Sequence, residues 1–201
     1  MGLIKIDLFT TVDGVAQAPG GPDEDTDDGF AFGGWQAPLI DDIVGEQISS
    51  GMEGMDALLL GRRTYDIFAS YWPHANGPIA QLFNRIPKYM VSHQAQSLEW
   101  AGSTQLGPDV ASGVRELREK HDNVHVIGSL NFVQTLFAER LFDQLTLWMH
   151  PILLGGGKKV FADGVVPANL RLSEPAKSSP RGVVMLRYDL ANGTPNVGTM
   201  G

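Results

Sequence analysis

The most constraining stretch of the chain runs from Val124 to Phe161, VHVIGSLNFVQTLFAERLFDQLTLWMHPILLGGGKKVF. Val124, Val126 and Ile127 form a short β-branched run, which suits a strand buried on both faces. The chain turns through Gly128-Ser129, after which Leu130, Val133, Leu136, Phe137 and Leu141 recur at helical spacing. Asp143 to Leu154 returns as a second strand, and Gly155-Gly156-Gly157 ends it. Strand, helix and strand in this order predict a parallel pair with a crossover helix. A helix opening on a Gly-Ser turn offers free backbone N–H groups and the positive end of its dipole, which suits a phosphate or pyrophosphate. The same residues also read as a Ser129 cap on an ordinary helix.

The rest of the chain supplies further elements. Leu3 to Phe9 alternates Ile4, Ile6 and Leu8 against Lys5 and Asp7, a strand that leads into a turn at Asp13-Gly14. Residues 18–34, APGGPDEDTDDGFAFGG, read as an acidic, mobile loop over the site. Its acids do not match a calcium loop, because Glu24, Thr26 and Trp35 fall where ligands are needed. A helix is expected within Trp35 to Gly51, with stripe Ile40, Ile43, Val44 and Ile48 and with Asp41 at the stripe's edge, where a carboxylate can face a cleft wall.

Met55 to Leu60 is a strand run, and Gly61-Arg62-Arg63-Thr64 follows directly. Gly61 permits a tight turn, Thr64 can cap the next helix, and the two guanidiniums offer rigid forks for phosphate oxygens. Lys88 to His93 is another strand, ending in Ser92-His93, and Asp109 to Lys120 is an amphipathic helix through Val110, Val114 and Leu117. Two more strands fall within residues 170–190, including Val183 to Leu190. Gly182 to Leu186 is apolar enough that an exposed edge there would pair with another copy, which predicts a homodimer.

With no cysteine, thiolate chemistry, disulfides and cysteine zinc sites are excluded. A net charge of −8 argues against nucleic acid as a partner. No metal site is expected, since the one close histidine pair, His121 and His125, spans Asp122-Asn123 and the start of a strand. The N-terminus carries no signal-peptide pattern and no apolar run reaches membrane-span length, so a cytoplasmic protein without a membrane partner is expected.

VIGSLNFVQTL followed by DQLTLWMHPILLGGGKKVF, together with G-R-x-T at Gly61 to Thr64, resembles the dihydrofolate reductase-like fold. More narrowly, it resembles the reductase domain of the bifunctional deaminase-reductases of riboflavin synthesis and their stand-alone bacterial relatives, over roughly residues 3–190. The resemblance implies a three-layer α/β/α fold with a mostly parallel central sheet and an antiparallel C-terminal edge. One domain would span residues 1–190, with a flexible tail at 191–201.

The resemblance also implies a reductase that uses NADPH and passes hydride to a pterin-like or ribosylamino-pyrimidine small molecule. Gly61, Arg62, Arg63, Thr64, Ser92, His93, Gly128, Ser129, Leu130 and Asn131 would bind the cofactor, and Asp13 and Asp41 would face substrate. Three departures stand out. The deaminase motifs are absent, the Gly-Gly turn of dihydrofolate reductases is Gly128-Ser129 here, and Asp41 comes one residue later than their W-x-x-P-x-D pattern. The alternatives are dihydrofolate reductase activity and a non-catalytic dinucleotide-binding module.

Overall fold

The computed structural model describes residues 1–200. Leu3–Thr11 forms β1, whose Ile4, Ile6 and Leu8 turn one face inward. Asp42–Gly51 is α1, Ala57–Gly61 is β2 and Arg62–Tyr71 is α2. Pro78–Arg85 is α3, Lys88–Val91 is β3, Ser103–Leu106 is β4 and Val110–Lys120 is α4. Asn123–Val126 is β5, Leu130–Ala138 is α5 and Gln144–His150 is β6. Asn169–Leu172, Lys177–Ser178 and Val184–Ala191 are β7, β8 and β9.

The strands form one sheet in the order β4-β3-β2-β5-β1-β6-β9-β7, with β8 also paired to β9. From β4 to β6 every pairing is parallel, and those made by β9 are antiparallel. β2 is buried along its whole length, as an unbroken apolar strand in the middle of a parallel sheet must be. Its Leu59 joins one apolar cluster with α4 and α5, while Leu58 and Leu60 join a second with α2 and α3. Helices therefore cover both faces. The fold is the three-layer α/β/α arrangement with a mostly parallel sheet and an antiparallel C-terminal edge.

Two expectations about neighbours are corrected. β5 and β6 are both parallel to β1 but do not pair with each other, because β1 lies between them. The crossover through α5 thus spans one strand. β9 is not an edge either: β6 covers one side and β7 with β8 the other. The backbone groups that would have invited a second copy at Gly182 to Leu186 are satisfied within the chain from Val184 on, so that ground for a homodimer is gone.

Local boundaries move as well. The expected helix over Trp35 to Gly51 is a short 3-10 turn at Ala37–Leu39 followed by α1, whose stripe buries only Val44. Thr64 does not cap α2; the cap position is Gly61. β3 stops at Val91, leaving Ser92-His93 in the loop beyond it. The expected tail of residues 191–201 begins on the last residue of β9, and its final residue, Gly201, lies outside the described residues. Among the described residues no helix is long and apolar enough to cross a membrane.

Candidate functional site

The carboxyl ends of β1, β2, β3 and β5 point to the same side of the sheet because these strands are all parallel. Ligands of open parallel sheets bind at that side, and two cavities open there. The inner one, of about 430 Å³, is lined by Leu8 and Phe9 of β1, by Ile67, Phe68 and the following Trp72 on the α2 side, and by Ile127 to Asn131. The outer one, of about 960 Å³, is bounded by Gly61 and Arg62, by Val91 to Gln94, and by the first turns of α4 and α5. Arg63, Ser129 and Asn131 line both.

Two glycine turns form the saddle between the cavities. The Gly61 N–H donates to the Gly128 carbonyl at 3.0 Å. A Cβ on Gly61 would fall 2.2 Å from Ser129 Oγ and 2.9 Å from its backbone nitrogen, and one on Gly128 would fall 2.5 Å from Thr64 Oγ1. Gly128 also sits at φ 140°, where side chains are strained, and its peptide bond to Ser129 is cis. This contact brings the starts of α2 and α5 together. Neither helix has a side-chain cap, so the leading N–H groups of both remain free for an incoming acceptor.

The adjacent arginines part company here. About 100° separates successive residues around a helix. Arg62 reaches the outer cavity alone and makes a 3.5 Å pair with Asp66 in which both partners are exposed. Arg63 reaches across the inner cavity to Asp25 at 2.9 Å and Asp27 at 3.0 Å. Lys158, just beyond the glycine run, meets the same two carboxylates at 2.7 Å each. The Lys158 hydrogen bond holds Asp27 below the usual carboxylate range despite the opposing effect of burial. Burial alone would lower the Lys158 ammonium, but its bonds to Asp25 and Asp27 outweigh it and raise the group.

Gln17 fixes this cluster from behind. Its amide donates to the Asp25 and Asp27 carbonyls at 3.1 and 3.2 Å and accepts from the Lys158 N–H at 2.9 Å. Trp35 in turn donates its indole N–H to the Gln17 carbonyl at 2.8 Å. The expected acidic loop therefore lies over the inner cavity, pinned at both ion pairs and backbone. Glu24, on the same loop, accepts from the Gly20 and Gly21 N–H groups at 2.6 and 3.1 Å. Burial raises its carboxyl above the usual range, and those two bonds offset only part of the shift. Among the described residues it is the one carboxylate of the inner cavity without a cationic partner.

The expected substrate acids lie elsewhere. Asp13 lines neither cavity: it accepts from Thr11 Oγ1, from the Leu154 N–H at 3.2 Å and from the Gly155 N–H at 2.7 Å, tying the end of β1 to the glycine run. The Thr11 bond is the largest reason its carboxyl is held low. Asp41 caps α1, accepting from the Val44 N–H at 2.9 Å, and also takes the Arg181 N–H at 3.1 Å. Its carboxyl is lowered first by the Val44 bond. Free backbone donors have captured both acids, so neither is brought to the cleft.

All ten residues assigned to the cofactor line one cavity or both. Ser92 Oγ is shared with Gln94, donating to its carbonyl at 2.9 Å. His150 is buried against Phe9 and Trp35, donates from Nδ1 to the Trp148 carbonyl at 2.8 Å, and burial lowers its imidazole. Gln17, Glu24, Asp25, Asp27 and Lys158 are among the cavity residues not expected from the sequence. The acid run and the lysine after three glycines were the signals for them.

Residues 3–184 match the description of the RibD C-terminal domain family. The uncharacterized protein YyaP of Bacillus subtilis (strain 168) is 23% identical over 191 residues, covering 92% of this chain and 93% of that one. A crystal structure from Shewanella sp. PV-4, named for riboflavin biosynthesis, superposes with a TM-score of 0.70 at 17% identity, over 94% of this chain and 99% of that one. The deaminase/5-amino-6-(5-phosphoribosylamino)uracil reductase of Thermotoga maritima gives 0.65 at 14% identity, covering 94% of this chain and 57% of the longer one. Dihydrofolate reductase from Enterococcus faecalis, complexed with NADP(H), gives 0.62 at 11% identity, over 95% of this chain and 98% of that one. At these identities the structural likenesses show a shared fold.

Proposed function

The chain belongs to the RibD C-terminal domain family, matched over residues 3–184, and from that membership and the two cavities we propose an NADPH-dependent reductase acting on a pterin-like or ribosylamino-pyrimidine substrate. The observation that carries this reading is the saddle, where two uncapped helix starts meet between an outer and an inner cavity. Its donors fit a dinucleotide: free N–H groups of α2 and α5 for the pyrophosphate, and Arg62, Ser92 and His93 in the outer cavity for a 2′-phosphate. The NADP(H) bound to the Enterococcus reductase supports the same choice of cofactor.

Bound there, the cofactor supplies hydride; the chain supplies position and a proton. Gly61, Thr64, Gly128, Ser129, Leu130 and Asn131 would hold its phosphates. Leu8, Phe9, Ile67, Phe68 and Trp72 would exclude water from the inner cavity when substrate is bound there. Reduction of a C=N or C=O group needs one proton for each hydride. Glu24, kept protonated to higher pH by burial, delivers it.

NADPH fluorescence and NADPH oxidation against pterins, dihydrofolate and ribosylamino-pyrimidines test the assignment. Binding with turnover of at least one pterin or ribosylamino-pyrimidine is expected. Turnover of dihydrofolate alone would make it a folate reductase. Binding with no turnover across the panel would make the chain a dinucleotide-binding module, and no binding would overturn the assignment.

A further inference from the structure

We propose that the inner cavity selects an unphosphorylated, uncharged substrate, because Asp25 and Asp27 already occupy the two cations, Arg63 and Lys158, that would otherwise seat a phosphate. This rests on the reading of the inner cavity as the substrate seat of a reductase and narrows the substrate class.

Five charged side chains line the inner cavity: the carboxylates Glu24, Asp25 and Asp27 and the cations Arg63 and Lys158. Three negatives against two positives leave it one negative charge when all are ionised, and net neutral when Glu24 is protonated. Each cation already touches both aspartates, at 2.7 to 3.0 Å. A phosphate entering this space would meet two cations that are already paired and the two carboxylates that pair them, and charges of like sign repel.

The segment that carries the carboxylates is held by its backbone. Gln17 holds the backbone carbonyls of both Asp25 and Asp27, and Asp25 Oδ1 accepts the Asp27 N–H at 3.1 Å. The loop is closed at its base by the Gly34 N–H donating to the Ala18 carbonyl at 2.9 Å. These bonds keep the backbone of Asp25 and Asp27 beside Arg63 and Lys158. The lining also carries Leu8, Phe9, Ile67, Phe68, Trp72 and Ile127, an apolar surface that suits flat uncharged rings.

The test pairs a ribosylamino-pyrimidine with its own 5′-phosphate. Dissociation constants for both are measured by tryptophan quenching, since Trp72 lines the cavity, on the wild type, D25N/D27N and K158M, with NADPH oxidation followed in parallel. The wild type should bind the unphosphorylated compound at least about tenfold tighter, and D25N/D27N should shift the ratio toward the phosphate by roughly tenfold to hundredfold. K158M, which keeps both acids, should not selectively weaken the phosphorylated ligand. Equal or tighter wild-type binding of the phosphate, an unmoved ratio in D25N/D27N, a selective loss in K158M, or no binding of either compound would each overturn the proposal. The expected binding ratios without NADPH oxidation would uphold the selectivity and sink the reductase reading instead.

Discussion

Arg62 and Arg63 are adjacent in sequence, yet the outer and inner cavities treat them oppositely. Arg62 has a long, exposed contact with Asp66, an interaction worth little in water, so its guanidinium is available to a ligand. Arg63 is held by two short contacts to carboxylates that Lys158 pairs with as well. The outer cavity has acids too, but Asp109 is occupied in capping α4, where it accepts from the Ser112 N–H. What separates the two regions is therefore not the count of charges but which cations are already satisfied. The outer cavity keeps the Arg62 guanidinium open to a phosphate, while both cations of the inner one are already paired with carboxylates.

The largest expected effect breaks the division between them. Gly61→Ala puts a methyl 2.2 Å from Ser129 Oγ and 2.9 Å from a backbone nitrogen, so the two helix starts must part. Overpacking of this kind costs about 1–3 kcal/mol. Urea unfolding should show that loss, and NADPH fluorescence should show binding largely abolished even where the variant remains folded. A variant that binds NADPH normally would show that the saddle does not set the cofactor site.

A third cation sharpens what pairing does. Lys88 is buried without a carboxylate: its ammonium donates to the Phe83 carbonyl at 3.1 Å and the Asn84 carbonyl at 3.3 Å, and lies 4.6 Å from the Trp100 ring centre. Burial pushes it down from 10.5 to about 8, the opposite direction from Lys158. Between these pH values the unfolded chain holds this proton more firmly than the folded one, so unfolding takes up protons and stability rises with pH. Below pH 8 both states are protonated and the penalty is constant. Relative to Lys88→Met, the wild type should gain about 1–3 kcal/mol between pH 8 and 10.5 in denaturant titrations. A difference that stays flat or falls with pH would show that the ammonium is not desolvated.

The sequence made the local parts of this site legible. Gly61-Arg62-Arg63-Thr64 and Gly128-Ser129 could be placed at strand-to-helix turns because glycine, strand and helical spacing all act within a few residues. The central place of β1 between β5 and β6 was hidden, since sheet order depends on pairings between residues more than a hundred positions apart. The same distance explains the misplaced acids: Asp13 finds its partners at Leu154 and Gly155, and Asp41 finds Arg181. The acidic run looked like a solvated cover because Lys158, its counter-charge, lies 131 residues beyond Asp27.

The smallest expected effect separates a capping acid from a cavity acid. Asp41→Ala should lose about 0.5–2 kcal/mol of stability with its helix cap, measured by thermal unfolding. NADPH and substrate dissociation constants should not change. Glu24→Gln should do the reverse, leaving stability nearly intact while lowering turnover and removing the fall in turnover that Glu24 ionisation causes as pH rises. If Asp41→Ala instead lowered turnover at unchanged stability, the sequence expectation for that residue would be restored.

The division between the two cavities is tested most directly by the dissociation constants of NADPH and NADH for Arg62→Ala and Arg63→Ala, each at two salt concentrations. A charge-assisted contact to phosphate is worth about 1.5–3 kcal/mol, roughly tenfold to hundredfold in affinity. Arg62→Ala should weaken NADPH by that factor, spare NADH, and lose part of the salt dependence, while Arg63→Ala should change the two cofactors equally and by less. Unchanged NADPH affinity in Arg62→Ala, or a larger NADPH-specific loss in Arg63→Ala, would contradict the account.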